Sequence, residues 1–291
     1  MIPLRLIAEL DVSAASGLVR DGRHLFVIAD DEHFLDAYHL ATGRRAARIS
    51  LGIPGDLPSE HHSRKRLKPD LESLTMLPGG QLLALGSGSA DNRCTGFLLE
   101  PPLASPSSSK PRAVELRPLY QSLRERFPEL NLEGGAVGGP WLRLLQRGNG
   151  AAGANAVIDL DLAGVLAALR AGRALTPDLV QQVHPVALGE LDGVPLGFTD
   201  ASPLDPGEPR IAFVAAAEDT DDPYEDGACA GSVLGVLDAR GQVEWSDRLE
   251  GRHKVEGLVI SPANERAWLV ADPDDRARRA PLFQAGPLLL P

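Results

Sequence analysis

Five short segments of similar chemistry recur along the 291-residue chain, and no other feature constrains the fold as strongly. Each has a small or apolar entry, an oxygen-bearing residue, a small residue and usually an apolar exit: Ser16-Gly17-Leu18, Glu72-Ser73-Leu74, Glu133-Gly134-Gly135, Thr199-Asp200-Ala201 and Glu256-Gly257-Leu258. The anchors lie 56, 61, 66 and 57 residues apart, and the path from Glu256 through Pro291 and on from Met1 to Ser16 adds 51 more. A period that closes on itself describes a ring.

Within each period the apolar runs are short and bounded by turn residues, as strands are. Second runs follow the anchors at Leu25–Ala29, Leu82–Leu85, Trp141–Leu145, Ile211–Ala217 and Ala267–Ala271. Third runs lie at Phe34–Leu40, Thr95–Leu99, Ala154–Leu160, Gly231–Leu237 and Pro281–Gln284. Fourth runs lie at Arg45–Leu51, Ala113–Leu116, Val183–Leu188 and Val243–Leu249, and the last repeat lacks one. Pro3–Leu10 is a strand-like segment with no repeat of its own, so it completes the last unit. Radially repeated four-stranded units of this length predict an all-β, five-bladed β-propeller with its N-terminal strand closing the last blade. The 30 Gly and 24 Pro, set against 13 aromatics, agree with many short strands packed by Leu, Val and Ala. Leu119–Phe127 and Leu162–Ala171 space Leu and Val at helical intervals and are followed by Pro128 and Thr176-Pro177, which predicts two short inserted helices. The stretch Pro101–Pro111 reads as a flexible loop inside blade two, and residues 1–291 read as one domain.

The formal charge of −11 is the wrong sign for binding a phosphate backbone, so nucleic acid is excluded as a partner. Cys94 and Cys229 are too few for a disulfide framework or a Cys-rich zinc site. Arg5, Glu9 and Asp11 interrupt any secretory apolar run, and no stretch is long enough to span a membrane, so a cytoplasmic location is expected.

The first strand of each propeller blade lines the central channel, so the anchors Ser16, Glu72, Glu133, Thr199 and Glu256 converge on one axis. Three crowded carboxylates repel and hold protons unless a cation compensates them. Three anionic and two hydroxyl oxygens suit a hard cation, and calcium tolerates irregular oxygen shells better than magnesium does. The alternative is that these residues start strands and bond the backbone of the next blade without a metal.

The order Ser16, Glu72, Glu133, Thr199 and Glu256 around five blades resembles the calcium-activated nucleotidases of the apyrase type. Ser16-Gly17-Leu18-Val19, Val255-Glu256-Gly257-Leu258 and Gly197-Phe198-Thr199 carry that resemblance, with Thr199 standing where the family has a serine. Asp70-Leu71-Glu72-Ser73-Leu74 and Lys254-Val255-Glu256-Gly257-Leu258 are similar to the repeats of phytase-like esterase propellers. The resemblance implies a five-bladed ring around an axial calcium ion and, for the nucleotidases, phosphoester hydrolysis.

Loops after the second strands gather at one mouth of the channel. They carry Asp30, Asp31, Asp91, Asn92, Arg93, Arg147, Asn149, Glu218, Asp219, Asp272, Asp274 and Asp275; Lys68, Asn131, His253 and Lys254 lie just before anchors. A cation beside Arg93, Arg147 and Lys254 makes a clamp for a small anionic molecule, with Asp30 or Glu218 as base toward a water. The acidic run 219–227 lacks the glycine and terminal glutamate of an EF-hand, and the Gly148–Gly153 loop precedes a strand, where no helix dipole assists phosphate binding. Residues 61–66 read as a solvated basic loop, and Gly86–Ala90 is not a nucleophile elbow. Two functions fit: a calcium-dependent phosphoester or ester hydrolase, or a non-catalytic propeller that binds a small molecule or protein around a structural ion.

Overall fold

The computed structural model describes the whole chain except residues 59, 102–109, 149–153, 206, 220–227 and 264, and the side chains of residues 61 and 62. Strand β1 (Leu4–Glu9) precedes blade one, which consists of β2 (Ala15–Asp21), β3 (His24–Ala29), β4 (Phe34–His39) and β5 (Arg45–Ser50). Helix α1 (His61–Leu67) leads to blade two: β6 (Leu71–Met76), β7 (Leu82–Gly86), β8 (Thr95–Leu99) and β9 (Arg112–Glu115). After α2 (Arg117–Arg126) comes blade three, with β10 (Leu132–Gly138), β11 (Trp141–Gln146), β12 (Ala156–Asp161), helix α3 (Leu162–Arg170) and β13 (Val180–Pro185). Blade four adds a two-residue strand, β14 (Glu190–Leu191), to β15 (Val194–Pro203), β16 (Ile211–Asp219), β17 (Ala228–Leu237) and β18 (Val243–Arg248). Blade five holds β19 (Lys254–Ile260), β20 (Ala267–Asp272) and β21 (Pro281–Ala285), and its outer strand is β1, paired from Leu4 opposite Ala285 to Glu9 opposite Pro281. The expected five-bladed propeller with an N-terminal closing strand is the fold observed.

Neighbouring blades share apolar clusters, and five such clusters fill the five blade interfaces. The third strands' own composition explains this arrangement: runs such as Val233-Leu234-Gly235-Val236-Leu237 present side chains to both faces, so each blade needs a neighbour on both sides. Outer strands alternate instead, as in β5, where exposed Arg45 and Arg48 flank half-buried positions. Among the described residues there are three helices rather than the two expected. The additional one, α1, falls on the basic stretch read as a solvated loop; Glu60 Oε2 accepts from Ser63 N at 2.7 Å at its start, and Arg64 folds inward onto Asp31. The expected helix at 162–171 begins where the Asp161 carboxylate accepts from Ala163 N and Gly164 N, an N-cap the chain spells out. No helix among the described residues is long and apolar enough to cross a membrane.

The inner strands β2, β6, β10, β15 and β19 neighbour one another in a closed ring. Their closeness is set by the residue after each anchor. A Cβ added at Gly134 would lie 2.7 Å from Asp200 Cα, and one at Gly257 would lie 2.9 Å from Leu18 Cβ, both in the next blade. At Asp200 a carboxylate spans the same gap, accepting from Leu258 N at 2.8 Å, whereas the Ser73 hydroxyl is buried with no hydrogen-bond partner among the described residues. Because backbone rather than a flexible side chain opposes Gly134, Gly134→Ala is expected to cost about 1–3 kcal/mol in urea unfolding. An unchanged midpoint would show that the inner ring has slack.

Candidate functional site

Each anchor occupies the same unusual backbone position. In every inner strand the pairing skips one residue, and the residue skipped is Ser16, Glu72, Glu133, Thr199 or Glu256. A β-bulge takes a residue out of the ladder and re-aims its side chain. All five are buried, at 0 to 9% exposure. The two hydroxyls bond to backbone: Ser16 Oγ donates to Ala14 O at 3.1 Å, and Thr199 Oγ1 to Val255 O of the next blade at 2.6 Å.

The glutamates meet basic side chains. Arg147 reaches Glu133 Oε2 at 3.5 Å and Glu256 Oε1 at 3.7 Å, and it donates to Glu218 Oε2. Lys254 Nζ lies 3.0 Å from Glu218 Oε1, 3.1 Å from Asp274 Oδ1 and 3.6 Å from Glu256 Oε1. On the side of blades one and two, Lys68 bridges Asp30 and Asp70, the latter at 2.8 Å, and Arg93 donates to Asp70 Oδ2 at 2.9 Å. Ser87 also donates to Asp70, and Asn131 donates to Glu133 Oε1 at 2.6 Å. Asp70 and Asp274 hold left-handed backbone conformations, with φ of 53° and 50°, that are rare outside glycine.

Glu72 differs from the other two glutamates. It is 9% exposed and makes no hydrogen bond or ion pair among the described residues, and its carboxylate shares a site with those of Asp30 and Asp70, whose oxygens lie within 4.8 Å of one another. Asp30 Oδ1 is likewise buried without a hydrogen-bond partner.

Counting outward from the axis, the carboxyl groups of Asp30, Asp70, Glu72, Glu133, Glu218, Glu256, Asp272 and Asp274 gather, among the described residues, around the four bases Lys68, Arg93, Arg147 and Lys254. Burial and this excess of negative charge hold protons on some of them. Glu72 is raised well above the usual range by burial and by Glu133, Asp70 and Asp30, and Glu256 is raised well above it by burial and Glu133, with Lys254 and Arg147 opposing. Asp272 is pushed up to about 7 by burial, against Lys254 and with the help of Asp274 and Asp30. Asp70 and Glu218 move down, because two basic side chains each outweigh their burial.

Of the candidate catalytic residues, Asp30, Glu218, Arg93, Arg147 and Lys254 all lie in this network, and all three basic groups are already engaged by carboxylates. Asp31 is drawn away to Arg64, and Asp91 pairs with Arg124 at the surface. Asn149, most of the Gly148–Gly153 loop, residues 220–227 and residues 102–109 of the blade-two loop lie outside the described residues. Asp70, a hub of the network, was not singled out by sequence reasoning. The available signal was register: it sits two residues before Glu72, as Asn131 does before Glu133 and Lys254 before Glu256, and strand periodicity puts positions two apart on one face.

A model of the Family of unknown function (DUF6929) matches residues 11–286, and the chain belongs to that family. No curated protein matches it. Among solved structures, the glutaminyl cyclase of Myxococcus xanthus is 13% identical, with 98% of this chain and 96% of that one covered and a TM-score of 0.54. A luciferin-regenerating enzyme is 9% identical over 99% and 96% of the two chains, with a TM-score of 0.48. At 13% identity the likeness to the cyclase is one of fold alone.

Glu72, Glu256 and Asp272 bind protons more tightly folded than unfolded, where carboxyls titrate near 4. Their contribution to stability is therefore lost as pH rises from about 4 toward 7 and beyond. Calorimetry is expected to give a higher Tm at pH 5.5 than at pH 8. Arg147→Met, which strands three glutamates, is expected to cost about 3–5 kcal/mol at pH 8 and less at pH 5.5, where those glutamates take up protons.

Proposed function

We propose that this member of the DUF6929 family binds a hard divalent cation, calcium, at the mouth of its channel. The supporting observation is Glu72: a buried carboxylate with no hydrogen-bond or ion-pair partner among the described residues, beside Asp30 and Asp70 and next to Glu133 in charge. Burying an uncompensated charge costs several kcal/mol, so either a proton or a cation accompanies it. An all-oxygen, mostly anionic donor set fits calcium. Asp30, Asp70 and Glu72 would hold the ion, with Glu133 and Glu256 across the axis; Lys68 would give up its place between Asp30 and Asp70. Arg147 and Lys254 keep Glu218 ionised and hold the far side of the ring in register.

The chemistry such an ion supplies when bound is polarisation of a phosphoryl or carboxyl oxygen and acidification of a water. Asp272, poised near 7, is the side chain here best placed to exchange a proton at neutral pH. This makes metal-assisted hydrolysis of a phosphoester or ester the catalytic form of the proposal, in keeping with the apyrase-type and phytase-like resemblance. The engagement of Arg93, Arg147 and Lys254 by carboxylates favours cation binding without an anion clamp, which is the non-catalytic form.

At calcium about a hundredfold above its dissociation constant, the wild-type Tm is expected to rise by roughly 5 °C. Glu72→Gln resembles the protonated side chain and cannot ionise, so it is expected to raise Tm at pH 8 without calcium and to abolish the calcium-dependent rise. No shift in the wild type, or an equal shift in Glu72→Gln, would refute the cation site. A panel of phosphoesters and carboxylic esters, assayed with calcium and with chelator, separates the two forms: turnover lost on chelation supports the hydrolase, and a chelator-sensitive Tm without turnover supports the binding protein.

A further inference from the structure

Beside the channel mouth, on blade five where it borders the start of β17 in blade four, lies a cavity of about 530 Å³, within the range that small organic ligands occupy. Its wall is built from β1, the turn before β19, the end of β20 and the entry to β21, all of blade five, together with the start of β17 in blade four. The inner end belongs to the charged network through Lys254 and Asp274, which pair with each other. The rest of the polar lining comprises the carboxyl groups of Glu9 and Asp272, the Cys229 thiol and three basic side chains, Arg252, His253 and Arg278. Among the described residues, Arg252 and Arg278 have no carboxylate partner and the ring nitrogens of His253 have no hydrogen-bond partner. Both guanidinium groups line this one cavity, whereas Arg64, Arg93 and Arg147 are held by carboxylates.

The cavity also has a flat apolar side. The His253 ring lies against Phe283 with centroids 4.6 Å apart and planes tilted by 45°, and Phe283 is 6% exposed. Burial and the nearby Arg278 lower the His253 pKa, so the imidazole is neutral near pH 7 and offers a ring face and an acceptor or donor nitrogen without charge. A guanidinium group presents a planar fork that matches a carboxylate through two parallel hydrogen bonds. Asp272, at the inner wall, is an acceptor for a hydroxyl or amine at the far end of a bound molecule.

We propose that this cavity is a binding site for a small planar carboxylate, with the carboxylate on Arg252 and Arg278, the ring on His253 and Phe283, and a polar substituent turned toward Asp272. The site is distinct from the cluster of Asp30, Asp70 and Glu72, meets the charged network at Lys254, Asp272 and Asp274, and does not require the ion. It gives the propeller a ligand of defined chemistry whether or not the axial cluster is catalytic.

Titration calorimetry and ligand-observed NMR on the full chain, with 4-hydroxybenzoate and indole-3-acetate as probes, test this directly. At least one probe is expected to bind saturably, with its neutral amide counterpart weaker by about tenfold or more, the change expected for loss of a charge-assisted pair. The Arg252→Ala/Arg278→Ala variant, whose exposed side chains leave the core untouched, is expected to lose binding to the same degree while keeping its Tm. His253→Ala is expected to weaken the ring-bearing probes and leave acetate unaffected. Binding should persist in chelator and in Glu72→Gln, so failure of the cation site would leave this result standing. The proposal is overturned if neither carboxylate binds, if the amides bind equally well, if the double arginine variant binds as the wild type does, or if binding disappears with chelator or Glu72→Gln.

Discussion

Everything in this molecule depends on how closely five inner strands can approach one axis. The residue after each anchor decides it. At Gly134 and Gly257 the neighbouring blade comes within a distance that no side chain would allow, and at Asp200 the gap is spanned instead by a carboxylate bonded to the backbone of Leu258. Thr75 makes a similar link between blades two and three, donating to Gly135 O at 2.8 Å. A ring of this kind has no free inner edge, and β1 leaves no open outer seam where the chain ends meet. The bulge at each anchor follows from the same crowding: strands this close cannot keep every side chain in the ladder, so one residue per blade is expelled from it and aimed elsewhere.

That expulsion creates the electrostatic problem at the mouth. Three of the five bulged residues are glutamates, and the loops around them bring further carboxylates than the local Lys and Arg can neutralise. Blades three to five resolve most of it internally, through Arg147 and Lys254. Blades one and two leave Glu72 over. A fold that only needed rigidity would gain nothing from this imbalance, since replacing buried charge by apolar packing is often neutral or stabilising. The imbalance is what the proposed cation site rests on, and the left-handed backbone at Asp70 and Asp274 falls where the charge is concentrated.

The blade count, the closing strand and the position of every anchor were legible because they rest on local periodicity: small residues and apolar runs recur at nearly constant spacing, and spacing survives in a linear sequence. The loops feeding the mouth were legible as a group for the same reason. What partners each charge would find was not. Arg93, Arg147 and Lys254 look like an anion clamp in the chain, but the fold brings each against a carboxylate from a different segment: Asp70 for Arg93, and Glu218 for both Arg147 and Lys254. Helix α1 was missed because its basic stretch carries no apolar periodicity; it is held by Arg64 on Asp31, a contact between residues 33 positions apart.

The sequence by itself therefore determined the ring, through a repeat that can bury its apolar faces only against copies of itself, and it marked which five residues leave the ladder. Tertiary structure alone decided which carboxylates are neutralised, which one is left without a partner, and where Arg252, His253 and Arg278 meet Phe283 around a cavity. Those outcomes depend on distances between blades. Electrostatic energy falls with separation in space, and separation along the chain carries no record of it.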